Sequence, residues 1–261
     1  MKMLLVGPGR AGGSLALAAA AVGHQIVGLV ARSPLRWDLP FPMVDREWPS
    51  ADLVVIATRD SDIAAAASEV AGNHAPSSAI HLSGATSVEA LAGLAALGWK
   101  IGSFHPLQTL PDPATGAAAL SGSWVAVTAG GDLRRRLASL ADDLGMTKFD
   151  LADSAKPAYH AGAAAASNFL LAGLDLAERL LRDAGVPFAA AAPLSAEILE
   201  NAFEKGPRPA LTGPIARGDW ETVKAQLEAA RKLGLGHQFL LLAEATAVTA
   251  GVEFPAGLVE R

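Results

Sequence analysis

The stretch Gly7-Pro8-Gly9-Arg10-Ala11-Gly12 limits what this chain can fold into more than any other. It directly follows the apolar run Met3–Val6 and opens the alanine-rich segment Ala11–Val22, so it reads as strand, tight turn and helix. In such a unit Gly7 permits the turn, Gly9 lets the backbone approach a diphosphate, and Gly12 lets the helix lie close to the strand. The helix N-terminus then presents free N–H groups to the anion. The same opening imitates a secretory signal, with Lys2 and an apolar run, but Pro8, Arg10 and the glycines interrupt that run and favour the folded reading.

A second strand, 25–31, ends at Ala31-Arg32-Ser33, about 20 residues past the glycine loop, where an NAD-selective site places Asp or Glu on the ribose 2′-hydroxyl. No carboxylate stands there. Arg32 can pair with a 2′-phosphate, with Ser33 as a second donor, so NADP is expected rather than NAD. After the fourth strand, Thr58 and Arg59 fall where such sheets line the nicotinamide side of the crevice, and Asp60 reads as a cap for the helix that follows.

Apolar runs alternate with alanine-rich helical segments up to residue 150, the pattern of a mostly parallel, doubly wound sheet covered on both faces. Strands are predicted at 2–7, 25–31, 41–45, 52–57, 78–83, 99–105, 123–128 and 146–150. Beyond Asp153 strand signals nearly vanish; a long helix is predicted from Ser154 to Gly185, with at least three more after it. The fold class expected is an α/β Rossmann domain, 1–150, followed by an all-α substrate and dimerisation domain, 151–261. The alanine-lined long helix and the apolar segments 170–199 and 238–259 exceed what one small helical layer buries, which predicts a homodimer.

Composition removes other classes. Against 26 Asp and Glu stand 21 Lys and Arg, a net charge of −5, which disfavours a nucleic-acid partner. With no cysteine, disulfides and thiolate metal sites are excluded, which fits a cytoplasmic protein, and the scattered histidines predict no metal site. No apolar stretch of about 18 residues suggests a membrane span.

Ligands of such sheets sit at the carboxyl ends of the strands. Two ends carry polar chemistry: His81-Leu82-Ser83-Gly84 and Ser103-Phe104-His105-Pro106. His105 can relay a proton or serve the loop; His81 reads as structural. On the long helix Lys156, His160 and Ser167 fall within about 40° of one another, one polar stripe in an alanine-rich setting. Lys156 can donate the proton that accompanies hydride delivery, or be a surface lysine at a helix start. Asn168 can be a packing residue or a substrate ligand. In Leu211–Asp219, Asp219 reads as an N-cap and Arg217 as a group that can hold a carboxylate.

Together GPGRAG, HLSGATS, GSFHPLQT, KPAYH with ASNF, and LTGPIARGD resemble the Rossmann-like oxidoreductases that carry a C-terminal domain of unknown function, number 2520. The chain is more distantly similar to 6-phosphogluconate and 3-hydroxyacid dehydrogenases, ketopantoate reductase, pyrroline-carboxylate reductase and prephenate dehydrogenase. That resemblance implies an N-terminal NAD(P) domain, a helical C-terminal domain and often a dimer. In the hydroxyacid dehydrogenases a lysine near the start of the long helix is followed one turn later by asparagine; here Lys156 is followed by His160. Prephenate dehydrogenases carry a serine at one strand end and His-Pro at the next, as Ser83 and His105-Pro106 do here. The resemblance implies an NADP-dependent oxidoreductase acting on a small carbonyl, hydroxyl or imine compound bearing a carboxylate, with Lys156, His105, His160 and Ser83 at its reaction centre. The alternative is an NADP-binding sensor without turnover.

Overall fold

The structure is a computed structural model and describes residues 1–258; the last residue of the segment 238–259 therefore lies outside the described residues. The chain divides into two compact units, one ending at Ala163 and the other starting at Ala164. The last strand does end at Asp150. The first unit nevertheless keeps the next thirteen residues, 151–163, because Lys156 and Tyr159 are bound to its sheet.

Seven strands form the sheet of the first unit: β1 (Lys2–Val6), β2 (Gln25–Val30), β3 (Leu53–Ile56), β4 (Ser78–His81), β5 (Lys100–Leu107), β6 (Trp124–Ala129) and β7 (Thr147–Asp150). Their order is β2-β1-β3-β4-β5-β6-β7. The first five run parallel, β6 pairs antiparallel with β5, and β7 runs parallel to β6. The expected strand at 41–45 is absent: a single bridge joins Leu29 to Met43. Pro40 and Pro42 lack the N–H groups a strand would use there.

Burial alternates along β1 as a sheet covered on both faces demands. Met3 and Leu5 join one core with Leu15, Val55, Ile80, Phe104 and Leu137; Leu4 and Val6 join another with Val54, Ile56, Ile63, Val70 and Leu94. The first core packs under α1 (Arg10–Ala21) and α5 (Gly131–Asp143), the second under α2 (Ile63–Asn73) and α3 (Ala92–Ala96). Helix α1 also lies against α4 (Pro113–Leu120). A side chain at Gly13 would meet Pro113 Cγ at 2.8 Å, so the helices can approach only where Cβ atoms are missing. Asp112 caps α4 by accepting from Thr115 N–H at 2.9 Å, worth about 1 kcal/mol, with Pro113 at the first helical position.

The predicted single helix from Ser154 to Gly185 is interrupted. After α6 (Lys156–Ala164) comes a π turn, Ala165–Phe169, and then α7 (Leu170–Asp183). In a π turn each residue advances less than in an α-helix, so the regular phase that aligned Ser167 with Lys156 and His160 does not hold. The second unit continues with α8 (Ala192–Lys205), α9 (Pro207–Ala210), α10 (Pro214–Arg217), α11 (Trp220–Lys232) and α12 (Gly236–Ala250). Asp219 caps α11 as expected, accepting from Thr222 N–H at 3.2 Å. This unit's core is small, Leu176, Ala230 and Leu235 with Leu180, Phe239 and Leu242 packed against it. No residue of α8 is buried, and Phe203 is 88% exposed. No described helix is long and apolar enough to cross a membrane.

Candidate active site

Two adjoining places at the carboxyl edge of the sheet carry the polar chemistry. The first is a cavity of about 520 Å³ over the ends of β1, β2 and β3, lined by Gly7, Pro8, Gly9, Arg32, Ser33, Arg36, Trp37, Thr58, Arg59, Asp62 and Glu69. Gly7 has φ +74°, and a side chain there would strike Thr58 Cγ2 at 2.5 Å; only glycine turns the chain here. At Gly9 an added Cβ would find nothing nearer than the Gly7 carbonyl at 4.0 Å, so the loop faces open space. Gly12 would meet Ala57 Cβ at 2.7 Å, which is the close helix–strand packing expected of it. Arg10 and Ala11 open α1, and neither they nor Gly12 line the cavity. The open, glycine-walled loop below a helix N-terminus, with guanidinium groups at the far wall, fits a dinucleotide with a phosphate on its ribose.

Two of the three cavity arginines are paired with carboxylates. Arg32 donates from Nε at 3.3 Å and from Nη2 at 3.0 Å to Glu69 Oε2, and Arg59 donates from Nε to Asp62 at 3.0 Å. Glu69 lies on α2 and was not legible as a partner of Arg32 in sequence, because 37 residues separate them. Asp60 does not cap a helix as expected. It accepts the Ser83 hydroxyl at 2.8 Å and so ties the cavity wall to the second place.

The second place lies at the ends of β4 and β5. Register pairs His81 with Ser103, which puts both side chains on one face of the sheet, with His105 following on that face. Ser83 is fully engaged: its Oγ also lies 3.0 Å from Thr86 Oγ1 and accepts from the N–H groups of Ala85 and Thr86. It is a turn-forming serine bound to a carboxylate. His81 is 0% exposed; its Nδ1 accepts from Ser83 N–H at 3.2 Å, which leaves the proton on Nε2. Burial, then the charge of Lys156, pushes the His81 pKa down to about 4.

Lys156, at the first position of α6, is 1% exposed. Its ammonium donates to Thr86 O at 2.7 Å and Ser103 Oγ at 2.9 Å and lies 3.3 Å from Asp153 Oδ1. Three partners match its three protons. Burial draws it below the usual lysine range, although Asp153 opposes that shift. Burial raises the Asp153 carboxyl, but the bonds from Ser87 and Val88 N–H and the charge of Lys156 hold it below the usual carboxylate range. The alternative reading of Lys156 as a surface lysine thus fails, and its buried ammonium anchors the whole cluster.

His105 is half-buried, and its Nδ1 lies 2.7 Å from Tyr159 Oη. Burial, then the charges of His160 and Lys156, pushes its pKa down to about 4, so it is neutral near pH 7. The exposed His160 ring stands edge-on to it at 6.2 Å. Sequence reasoning therefore named Ser83, His105, Lys156 and His160, and the first unit brings them together; it read Asp60 as a cap and missed Asp153 and Tyr159. Asn168, in the π turn, and Arg217, on α10, are exposed residues of the second unit. Among the described residues no group of three His, Asp or Glu side chains could hold a metal ion.

Residues 123–246 match the family model of the domain of unknown function DUF2520. The chain has a Rossmann-like fold, and just under half of it matches that domain. No curated protein matches it. Among solved structures it is similar to a candidate NADP oxidoreductase from Bacteroides fragilis, at 22% identity and TM-score 0.81, covering 95% of this chain and 98% of that one. It is similar to a Streptomyces aurantiacus imine reductase at 14% identity and TM-score 0.65, covering 99% and 98%. A Plasmodium falciparum pyrroline carboxylate reductase with NADP bound matches at 11% identity and TM-score 0.61, covering 96% and 97%. At these identities the likeness shows a shared fold.

Proposed function

We propose that this protein is an NADP-dependent reductase of a small carbonyl or imine compound bearing a carboxylate, with neutral His105 as the hydrogen-bond donor to the charge that develops on the substrate. The observation that carries this reading is the adjacency along one sheet edge of the open glycine-walled cavity and the Ser83–His105–Lys156 cluster, tied by Asp60. The fold it shares with a pyrroline carboxylate reductase that binds NADP and with an imine reductase supports the cofactor and the reaction class.

Gly7, Pro8 and Gly9 would cradle the diphosphate at the start of α1, and Arg32 with Ser33 would meet the 2′-phosphate. Hydride is the chemistry NADPH supplies when bound. Reduction of a carbonyl leaves negative charge on oxygen, so a donor must already point at that oxygen in a site shielded from water. Of the candidates, Lys156 has all its protons engaged and Ser83 has its hydroxyl bound to Asp60, whereas His105 has only Nδ1 engaged. Its Nε2–H is the available donor. The Lys156 charge, buried beside Ser103, stabilises the developing anion through a medium poor in water.

The working form is a homodimer through the helical unit: a second copy covers the bare apolar face of α7 and α8, where Leu171, Leu194, Ile198 and Phe203 stand in solvent. Light scattering at micromolar concentration reads this directly, and the mass of one chain would refute it. The reaction is tested by titrating NADPH and NADH, then following NADPH oxidation with oxo acids, ketopantoate among them, and cyclic imines. Tight NADPH binding without turnover on any of these would favour a sensor.

A further inference from the structure

We infer that Tyr159 is the positioning residue of His105: its phenol donates to Nδ1 and holds the imidazole as the Nε2–H tautomer, with the proton on the nitrogen that faces away from the tyrosine. The inference rests on His105 being the donor of the proposed reduction.

Tyr159 is the only tyrosine of the chain. Its placement follows from Lys156. On α6 the two residues are one turn apart, a rise of about 4.5 Å. Ser103 and His105 are two apart on β5, about 6.8 Å along the strand. Those spacings let one helix face engage one strand face twice, Lys156 at Ser103 and Tyr159 at His105. The Lys156 anchor therefore fixes the phenol over the imidazole.

The contact itself is directional. Oη lies 2.7 Å from Nδ1, and the rings meet edge to face at 5.5 Å and 88°. Phe149 backs Tyr159 at 5.9 Å. A Cβ at Gly84 would come within 2.8 Å of Nδ1 and Nε2, so the ring packs against bare glycine backbone. A phenol hydroxyl has one proton to give, and Nδ1 is the acceptor it reaches. An imidazole that accepts at Nδ1 in its neutral form carries its hydrogen on Nε2. Burial agrees with this assignment, since it pushes the phenol pKa up to about 12 and keeps the proton on oxygen.

The test is long-range nitrogen–proton NMR on protein labelled with ¹⁵N-histidine, which assigns each ring's tautomer without any substrate. The full chain should show His105 as the Nε2–H tautomer at pH 7. Tyr159→Phe, with unchanged NADPH affinity, should show a mixture of tautomers and about tenfold lower turnover on a substrate found by screening. An Nδ1–H tautomer in the unaltered protein would overturn the inference with no variant needed, and so would an unchanged tautomer in Tyr159→Phe. Failure of NADPH to bind the unaltered protein would instead overturn the proposed reductase, whatever the tautomer.

Discussion

At Arg32 two anions compete for one guanidinium. Glu69 holds it now, in an exposed pair worth little by itself, since Arg32 is 65% exposed and its charge is screened. A 2′-phosphate offers a charge-assisted, bidentate alternative. Glu69→Gln should therefore raise NADPH affinity several-fold and leave NADH affinity unchanged, while Arg32→Ala should erase the preference; parallel fluorescence titrations read both. Equal NADPH and NADH affinities in the unaltered protein would remove the basis of this prediction. Lys156 presents the opposite case, a charge with every proton used and almost no exposure. Lys156→Met keeps the length but leaves Asp153 without its cation and two acceptors without a donor, at a cost of about 3–5 kcal/mol. Chemical denaturation measures it, and a loss under about 1 kcal/mol would mean the ammonium contributes no buried ion pair.

At the level of elements, the loop before α1 separates two kinds of glycine. Gly12 is fixed by packing on Ala57, and Gly9 is fixed by nothing within the protein. Gly9→Ala should thus melt within a few degrees of the unaltered protein yet lose about tenfold or more in NADPH affinity, because its methyl group would occupy the space the diphosphate needs. If affinity survives, the loop is a structural turn. The helix after β7 shows where periodicity misleads. The alanine-rich composition from 154 to 185 carries a helical pattern throughout, but no feature of that pattern marks the π turn at Ala165–Phe169.

Across the whole molecule, acid acts through two histidines held neutral by burial, His105, with its pKa of about 4, and the fully buried His81. The His81 pKa is about 4 in the folded chain against 6.5 when unfolded, so between those values the unfolded state binds more protons. Its contribution is complete above about pH 6.5 and is lost as pH falls toward 4, amounting to about 3 kcal/mol. Asp153, held below the carboxylate range, adds loss in the same direction at lower pH. Denaturation midpoints should therefore fall steeply between pH 6.5 and 4. His81→Asn, which keeps an acceptor for Ser83 N–H but does not titrate, should make that fall shallower and leave the part due to His105; an unchanged slope would assign the acid sensitivity elsewhere.

What the sequence determined by itself was everything carried by local pattern. The glycine loop, the parallel strands around it, the change to helices after Asp150, and the cap at Asp219 all depend on neighbours in the chain. Ser83, His105, Lys156 and His160 were legible for a related reason, since polar residues at strand ends or on one helix face stand out against apolar surroundings. What tertiary structure decided was how those groups are used. Glu69 reaches Arg32 across 37 residues, Lys156 reaches Thr86 across 70, and Tyr159 reaches His105 across 54. Hydrogen bonds between residues so far apart in sequence leave no periodic trace, because each forms only when sheet register and helix docking set the two side chains at bonding distance.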